Sequence, residues 1–214
     1  MKSKIFSFSK KMGFIPSYDM DLKTCQDSCN YGKSLIGYCQ NNMQYKRNTK
    51  LIKTKSFVDE LNKEIKRINC HKIRFFGTSG DLTDLNDLLK ICYLAELNPN
   101  NKFWLPTHRM DIPIKYIDLG FKIPNNITIR ISNPLINLPM PQSIIDICLK
   151  YGFTYSRTSL NKSLVNCKSS MNKKSCLDNN CSKCFDKDTK EIVYFLHGKL
   201  AKPRLKKWNK RKNV

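Results

Sequence analysis

The feature that most constrains the fold is a repeated alternation of helix-like and strand-like segments between residues 56 and 157. Apolar residues at helical spacing, such as Phe57, Leu61 and Ile65, predict amphipathic helices. Short runs rich in β-branched and aromatic residues predict strands. The candidate helices are 56–69, 82–97, 114–119 and 142–152, and the candidate strands are 72–76, 102–107, 127–132 and 153–157. Such alternation with short connections is typical of parallel strands joined by crossover helices.

The same segments narrow the choice among α/β architectures. No Gly-x-Gly-x-x-Gly motif follows the first candidate strand, KIFSFS at 4–9, so a dinucleotide-binding sheet is disfavoured. We therefore predict an α/β fold built as a partial (β/α) barrel of about five or six units over residues 1–160. A cysteine-rich metal-binding segment with a last strand is expected at 161–198, and a basic tail at 199–214.

Four cysteines are concentrated near the C-terminus, where the stretch CLDNNCSKC follows an earlier cysteine. They are Cys167, Cys176, Cys181 and Cys184, and they lie in a polar segment without helical or strand periodicity. Four thiolates this close in sequence can complete a tetrahedral zinc site or hold an iron-sulfur cluster. Their spacing does not distinguish these metals. The alternative of four structural thiols is weaker, because free cysteines prefer apolar elements, as Cys92 and Cys148 do on their predicted helices.

A second group of cysteines lies near the N-terminus in TCQDSCNYGKSLIGYC. Cys25, Cys29 and Cys39 follow the first candidate strand. Three ligands on a loop at the mouth of a barrel would leave one coordination position open, as a catalytic metal site requires. In the alternative interpretation, these thiols join the C-terminal group or pack without a metal.

Polar residues at the ends of the candidate strands are candidates for binding and catalysis, because strand ends converge on one face of a β/α barrel. The stretch FFGTSGD ends one strand, and its small residues allow a ligand to approach the backbone closely. In the alternative interpretation, this stretch is an ordinary turn in which Asp81 caps the next helix. The candidate ligand-binding residues are Gly77, Ser79, Gly80, Asp81 and Ser132, and the candidate catalytic residues are His108 and Arg109.

The charge and composition of the chain indicate which binding partners and which cellular compartment to expect. The formal net charge is +22, and residues 199–214 contribute eight Lys/Arg and no acid. Trp208 lies among these basic residues, and the combination suits phosphate contact with base stacking, so nucleic acid is a candidate partner of the tail. The N-terminus lacks the apolar run of a signal peptide, and no apolar stretch approaches the roughly 18 residues of a membrane span. We expect a cytoplasmic protein without a membrane partner, in which cysteines bind metal more often than they form disulfides.

The order of these motifs resembles a family of phage-encoded proteins designated gene product 88. The resemblance rests on the FSFS opening strand, the TC…C…YC segment, a strand ending in SGD, the KFWxxT and IxIRxS strands, and the terminal C…C…CxxC segment before a strand ending at His197. It covers roughly residues 4–198. If it holds, the protein acts in the cytoplasm of the phage's host.

That architecture in turn resembles the radical S-adenosylmethionine superfamily. Cys25-x3-Cys29 matches the first gap of the superfamily's cluster loop, and Tyr38 stands before Cys39 as its aromatic residue does, although the second gap is longer here. The resemblance implies a 4Fe-4S cluster on Cys25, Cys29 and Cys39, with S-adenosylmethionine bound at its open iron. It also implies that Gly77, Ser79, Gly80 and Asp81 contact the cofactor's methionine group.

By the same resemblance, the four C-terminal cysteines would hold an auxiliary cluster. A flavodoxin or ferredoxin would supply an electron, and the cofactor would generate a radical that takes hydrogen from a substrate inside the barrel. A different class of function remains open on the sequence alone. In that alternative, both cysteine groups bind zinc for stability, and the basic protein binds nucleic acid without catalysis.

Overall fold

The structure is a computed structural model, and it describes residues 3–25, 42–172 and 174–196. These residues form a seven-stranded sheet flanked by helices. The strands are β1 (Ser7–Phe8), β2 (Pro16–Tyr18), β3 (Lys72–Phe75), β4 (Lys102–Thr107), β5 (Ile127–Ser132), β6 (Thr154–Ser159) and β7 (Glu191–Phe195). The helices are α1 (Met43–Leu51), α2 (Phe57–Ile68), α3 (Leu85–Glu96), α4 (Asp111–Asp118), α5 (Gln142–Tyr151) and α6 (Lys168–Met171).

The strands lie side by side in the order in which they occur along the chain. All neighbouring pairs from β2 to β7 are parallel, and only β1 runs antiparallel to its neighbour β2. Helices occupy the connections from β2 through β6, whereas the cysteine-rich segment connects β6 to β7. This consecutive order is that of a partial (β/α) barrel, so the predicted fold class is confirmed.

The start of the barrel differs from the sequence prediction. The candidate strand at 4–9 is reduced to β1, which forms a short antiparallel edge, and the parallel series begins at the unpredicted strand β2. Strand β2 has only three residues, which is too short for a strand pattern to be recognised in the sequence. The cysteine segment around Cys25 therefore follows the second strand of the sheet and the first strand of the barrel.

The two faces of the sheet have different chemistry because side chains alternate along each strand. One face carries apolar residues such as Ile73, Phe103 and Ile129, which belong to a single buried core with the apolar residues of the helices. The opposite, concave face carries Arg74, Trp104 and Arg130, together with serines and threonines. This polar face is suited to a ligand-binding site and not to a second apolar core.

The cysteine-rich segment packs against this concave face. The ring of Phe185 contacts that of Trp104, with 6.1 Å between centroids. Leu177 contacts the N-terminal turn so closely that a Cβ at Gly13 would lie 2.6 Å from the Leu177 Cβ. None of the helices in the described ranges combines the length and apolar character needed to cross a membrane.

Candidate metal and ligand site on the concave face

One cavity of about 390 Å³ on the concave face collects most of the residues singled out in the sequence. Ten of these candidates line it: Cys25, Gly77, Ser79, Gly80, Asp81, His108, Ser132, Cys167, Cys176 and Cys184. Cys181 lines an adjoining small void instead. Cys29, Cys39, His197 and the basic tail lie outside the described residues. The cavity therefore borders Cys25 of the N-terminal group and three cysteines of the C-terminal group.

The turn after β3 is fixed by a buried carboxylate that the sequence did not single out. Asp19 follows β2 directly and is fully buried. Its carboxylate accepts hydrogen bonds from the backbone N–H of Thr78 at 2.7 Å and from the hydroxyls of Ser7 and Ser17 at 2.5 and 3.0 Å. Asp19 thereby holds the end of β3 beside the segment that carries Cys25. A carboxylate directly after a strand was the available signal, but strand β2 itself, Pro-Ser-Tyr, was not predicted.

Glycine is required in this turn. Gly80 has a φ of +89°, and a Cβ there would lie 2.7 Å from the Cβ of Met20. The backbone of the turn thus approaches the segment after β2 more closely than any side chain would allow.

Asp81 is buried and its carboxylate is already bound by the chain itself. It accepts hydrogen bonds from the Thr107 hydroxyl at 2.5 Å and from the backbone N–H groups of Leu82 and His108 at 2.8 and 2.9 Å. The alternative role of helix cap is wrong, because Asp84 caps α3 by accepting from the Asp87 N–H. Asp81 instead links the turn after β3 to the end of β4.

The two catalytic candidates lie in different environments. His108 lines the cavity, and its Nδ1 is 3.5 Å from the Asp81 carboxylate. Arg109 is directed away from the cavity lining, and its guanidinium pairs with Asp111 at 2.7 Å. This pairing raises the pKa of Arg109 and lowers that of Asp111. Only His108 is therefore placed to meet a ligand.

The four C-terminal cysteines surround one small void of about 10 Å³. The Cys176 thiol lies 3.6 Å from the Met12 sulfur, and the Cys184 thiol lies 3.5 Å from the Tyr194 hydroxyl. No disulfide joins any two cysteines of the described ranges. Burial raises the pKa of the Cys184 thiol to about 12. Within residues 3–25, 42–172 and 174–196, no three His, Cys, Asp or Glu side chains are arranged to hold a single metal ion.

Arg130, in the middle of β5, ties the cysteine segment to the sheet. Its guanidinium is fully buried and donates to backbone carbonyls on both sides of Cys184, at Lys183 (3.2 Å) and Asp186 (3.4 Å). It also donates to the carbonyls of Tyr155 and Thr189 at 3.0 and 3.2 Å. It forms no ion pair with a carboxylate of the described chain.

Burial lowers the pKa of Arg130, while the nearby Tyr194 and Cys184 groups act in the opposite direction. Backbone carbonyls, and no carboxylate of the described residues, offset the cost of burying this charge. The sequence signal for this residue was a charged side chain inside the otherwise apolar strand ITIRIS.

Three cysteines outside these groups belong to the apolar core or its border, as predicted for Cys92 and Cys148. Cys92 and Cys148 are buried in the apolar core, and Cys70 packs against it. Burial raises the pKa to about 12 for Cys92 and about 11 for Cys148 and Cys70. These thiols contribute to packing and serve as natural controls for the cysteines of the site.

Together, the fold and the site define a class of protein: a partial (β/α) barrel whose concave face is covered by a cysteine-rich segment. The model of the Gene product 88 family matches residues 19–186, which include four of the six parallel strands, β3 to β6, and all four C-terminal cysteines. The chain belongs to this family. No curated protein and no solved structure shows significant similarity to it.

Replacing Gly80 tests the close approach in the turn. Gly80→Ala should lower the free energy of unfolding by roughly 2–5 kcal/mol, because left-handed strain and a steric clash with Met20 combine. Gly120→Ala is the matched control, since its φ is +86° but a Cβ there meets no atom within 4 Å. That variant should lose only about 1–2 kcal/mol in urea denaturation. Equal losses in the two variants would contradict the proposed clash.

Replacing Arg130 tests the attachment of the cysteine segment. Arg130→Met should cost roughly 2–4 kcal/mol, because several buried carbonyls lose their donor. Hydrogen exchange should accelerate over residues 183–190, and iodoacetamide should alkylate Cys184 faster. Arg109→Met removes a partly exposed pair and should cost less than about 1 kcal/mol. Unchanged exchange at 183–190 in Arg130→Met would contradict this role.

Proposed function

We propose that this protein is an iron-sulfur protein of the radical S-adenosylmethionine type, with its substrate bound in the concave-face cavity. Cys25, Cys29 and Cys39 would hold a cluster with one open position, and the four C-terminal cysteines would hold a closed auxiliary cluster. The observation that carries the proposal is the shared cavity: Cys25, the turn after β3 and three of the C-terminal cysteines all line it. A ligand in this cavity would lie between the two metal sites.

The four C-terminal cysteines line one void and would form the second metal site. Zinc–sulfur bonds of about 2.3 Å would draw four thiolates to within about 4 Å of one another around a single point. In a four-iron cluster each thiolate binds a different iron, so the ligands stand further apart. The void is about 10 Å³, about the size of one water molecule, so a cluster there requires the cysteine segment to open around it.

The charge around these cysteines supports metal-bound thiolates. Arg130 donates to the carbonyls flanking Cys184 without a carboxylate partner. Burial raises the pKa of the Cys176 thiol, and the nearby charge of Arg74 acts to lower it, by a smaller amount. Two buried cations beside four neutral thiols would be electrostatically costly. Four thiolates bound to a metal would supply the missing negative charge.

The chain's own residues would then position and enclose the ligand. Asp19 fixes the turn after β3, whose residues Gly77, Ser79 and Gly80 line the cavity together with Cys25. Asp81 orients the backbone around His108, the cavity's candidate for holding or moving a proton. When bound, the cluster and S-adenosylmethionine would supply one-electron chemistry, for which a flavodoxin or ferredoxin would be the electron donor.

A second candidate function follows from the net charge of +22. If the cysteines bind zinc only, the basic surface and tail would bind nucleic acid, without catalysis. Binding would then weaken steeply with salt.

Reductive cleavage of S-adenosylmethionine tests the N-terminal site. We expect anaerobically purified, dithionite-reduced protein to form 5′-deoxyadenosine, measured by chromatography. Cys25→Ala and Cys39→Ala should abolish the product while leaving the circular dichroism spectrum unchanged. Cys92→Ala is the control, because this thiol lies in the apolar core. Absence of the product from iron-loaded wild-type protein would contradict the radical-enzyme proposal.

A cysteine comparison tests the C-terminal site separately. Cys181→Ala should lower the metal content and destabilise the C-terminal segment, because a closed structural site contributes folding free energy directly. Thermal unfolding and elemental analysis should show both losses relative to Cys148→Ala, a core control. Retention of the full metal content in Cys181→Ala would remove this cysteine from the ligand set.

A further inference from the structure

Three buried polar groups that line the concave-face cavity have no hydrogen-bond partner in the described part of the chain. They are the Arg74 Nε, the Trp104 indole N–H and the Ser79 hydroxyl. The three residues are only 5%, 6% and 1% exposed, respectively. Arg and Trp side chains can only donate hydrogen bonds, and Ser can do so. The cavity therefore presents a set of donors that requires acceptors.

Arg74 packs between the Trp104 ring and the backbone of Gly77. Its guanidinium lies over the Trp104 ring, 5.1 Å from the centroid, and a Cβ at Gly77 would lie 1.7 Å from its Nη2. The absence of a side chain at residue 77 thus makes room for the guanidinium. No carboxylate of the described residues forms an ion pair with Arg74.

The other charged groups of the cavity lining are already engaged. Asp81 accepts three hydrogen bonds from the chain. Arg157 pairs with Glu191 at 2.8 Å. No carboxylate of the described residues neutralises the positive charge of Arg74, and the guanidinium is desolvated, which strengthens its interaction with an anion.

We propose that Arg74, Trp104 and Ser79 form a recognition site for the oxyanion, a carboxylate or a phosphate, of a small molecule bound in the cavity. A volume of about 390 Å³ is within the range of metabolite-binding pockets and far exceeds what one phosphate needs. Phe76, Pro106 and Leu196 also line the cavity, so the ligand has an apolar part besides its anionic group. The identification of this ligand as a substrate rests on the proposed function, whereas its binding rests on the cavity alone.

Tryptophan fluorescence can test the site directly, because the chain has only two tryptophans, Trp104 and Trp208. In full-length Trp208→Phe protein, Trp104 is the single reporter, and anions bound elsewhere by the basic tail are not detected through Trp208. We expect titration with inorganic phosphate or succinate, at ionic strength held constant with sodium chloride, to change its emission saturably. The anion that binds more tightly identifies the preferred group.

Matched variants then assign the effect to Arg74. Arg74→Met should weaken binding by at least about tenfold, the loss expected for a charge-assisted hydrogen bond. Gly77→Ala should weaken it similarly while keeping the charge, because the new Cβ displaces the guanidinium. Arg109→Met, in which the lost guanidinium lies outside the cavity lining, should bind as the parent does. Circular dichroism establishes that each variant is folded.

Two results would overturn the inference: no saturable change with either anion in the folded parent, or equal binding by Arg74→Met and Arg109→Met. The latter would leave Arg74 as a countercharge for the cysteines alone. Metal content, measured on the same samples, separates this inference from the proposed function. Anion binding without iron would contradict the radical-enzyme proposal and support the anion site. Iron without anion binding would support the radical-enzyme proposal and contradict the anion site.

Discussion

The buried guanidinium of Arg130 fixes the position of the cysteine segment against the sheet, and the geometry of the site depends on that position. Its donors reach the carbonyls of Lys183 and Asp186, so the turn that carries Cys184 is held against the middle of β5. The positive charge of Arg130 acts to lower the pKa of the Cys184 thiol, against the larger effect of burial, which raises it. One interaction thus connects the packing of the segment to the chemistry proposed for it.

One face of the sheet contributes most to stability, and the other carries the residues available for chemistry. The convex face and its helices form the apolar core, whereas the concave face holds the polar strand residues and the cavity. The turn after β3 faces inward and forms part of the cavity wall. Its backbone is fixed by Asp19 and its glycines allow close approach, so the cavity wall is rigid without bulky side chains. A preformed wall of this kind reduces the entropic cost of binding a small ligand.

Much of the barrel could be predicted from the sequence, because β4 and β5 and helices α2, α3 and α5 carry clear local periodicity. β2 was missed because three residues give little periodic signal, and its role depends on pairing with the distant strand β3. The convergence of Cys25, the turn after β3 and the C-terminal cysteines could be expected from barrel topology. The roles of Asp19, Arg74 and Arg130 could not, because they depend on buried contacts between residues distant in sequence. Arg109 was misplaced for a different, local reason, since its partner Asp111, two residues further on, draws it away from the cavity lining.

Metal and sulfide analysis of anaerobically purified full-length protein, combined with its visible absorption spectrum, tests the central claim most directly. The account predicts roughly four to eight irons per chain with a matching amount of acid-labile sulfide, as for one or two cubane clusters, and a brown protein with broad visible absorption. A colourless protein with one or two zinc ions and no iron would contradict it. The same cysteines would then serve stability alone, and the concave cavity would have to be explained without radical chemistry.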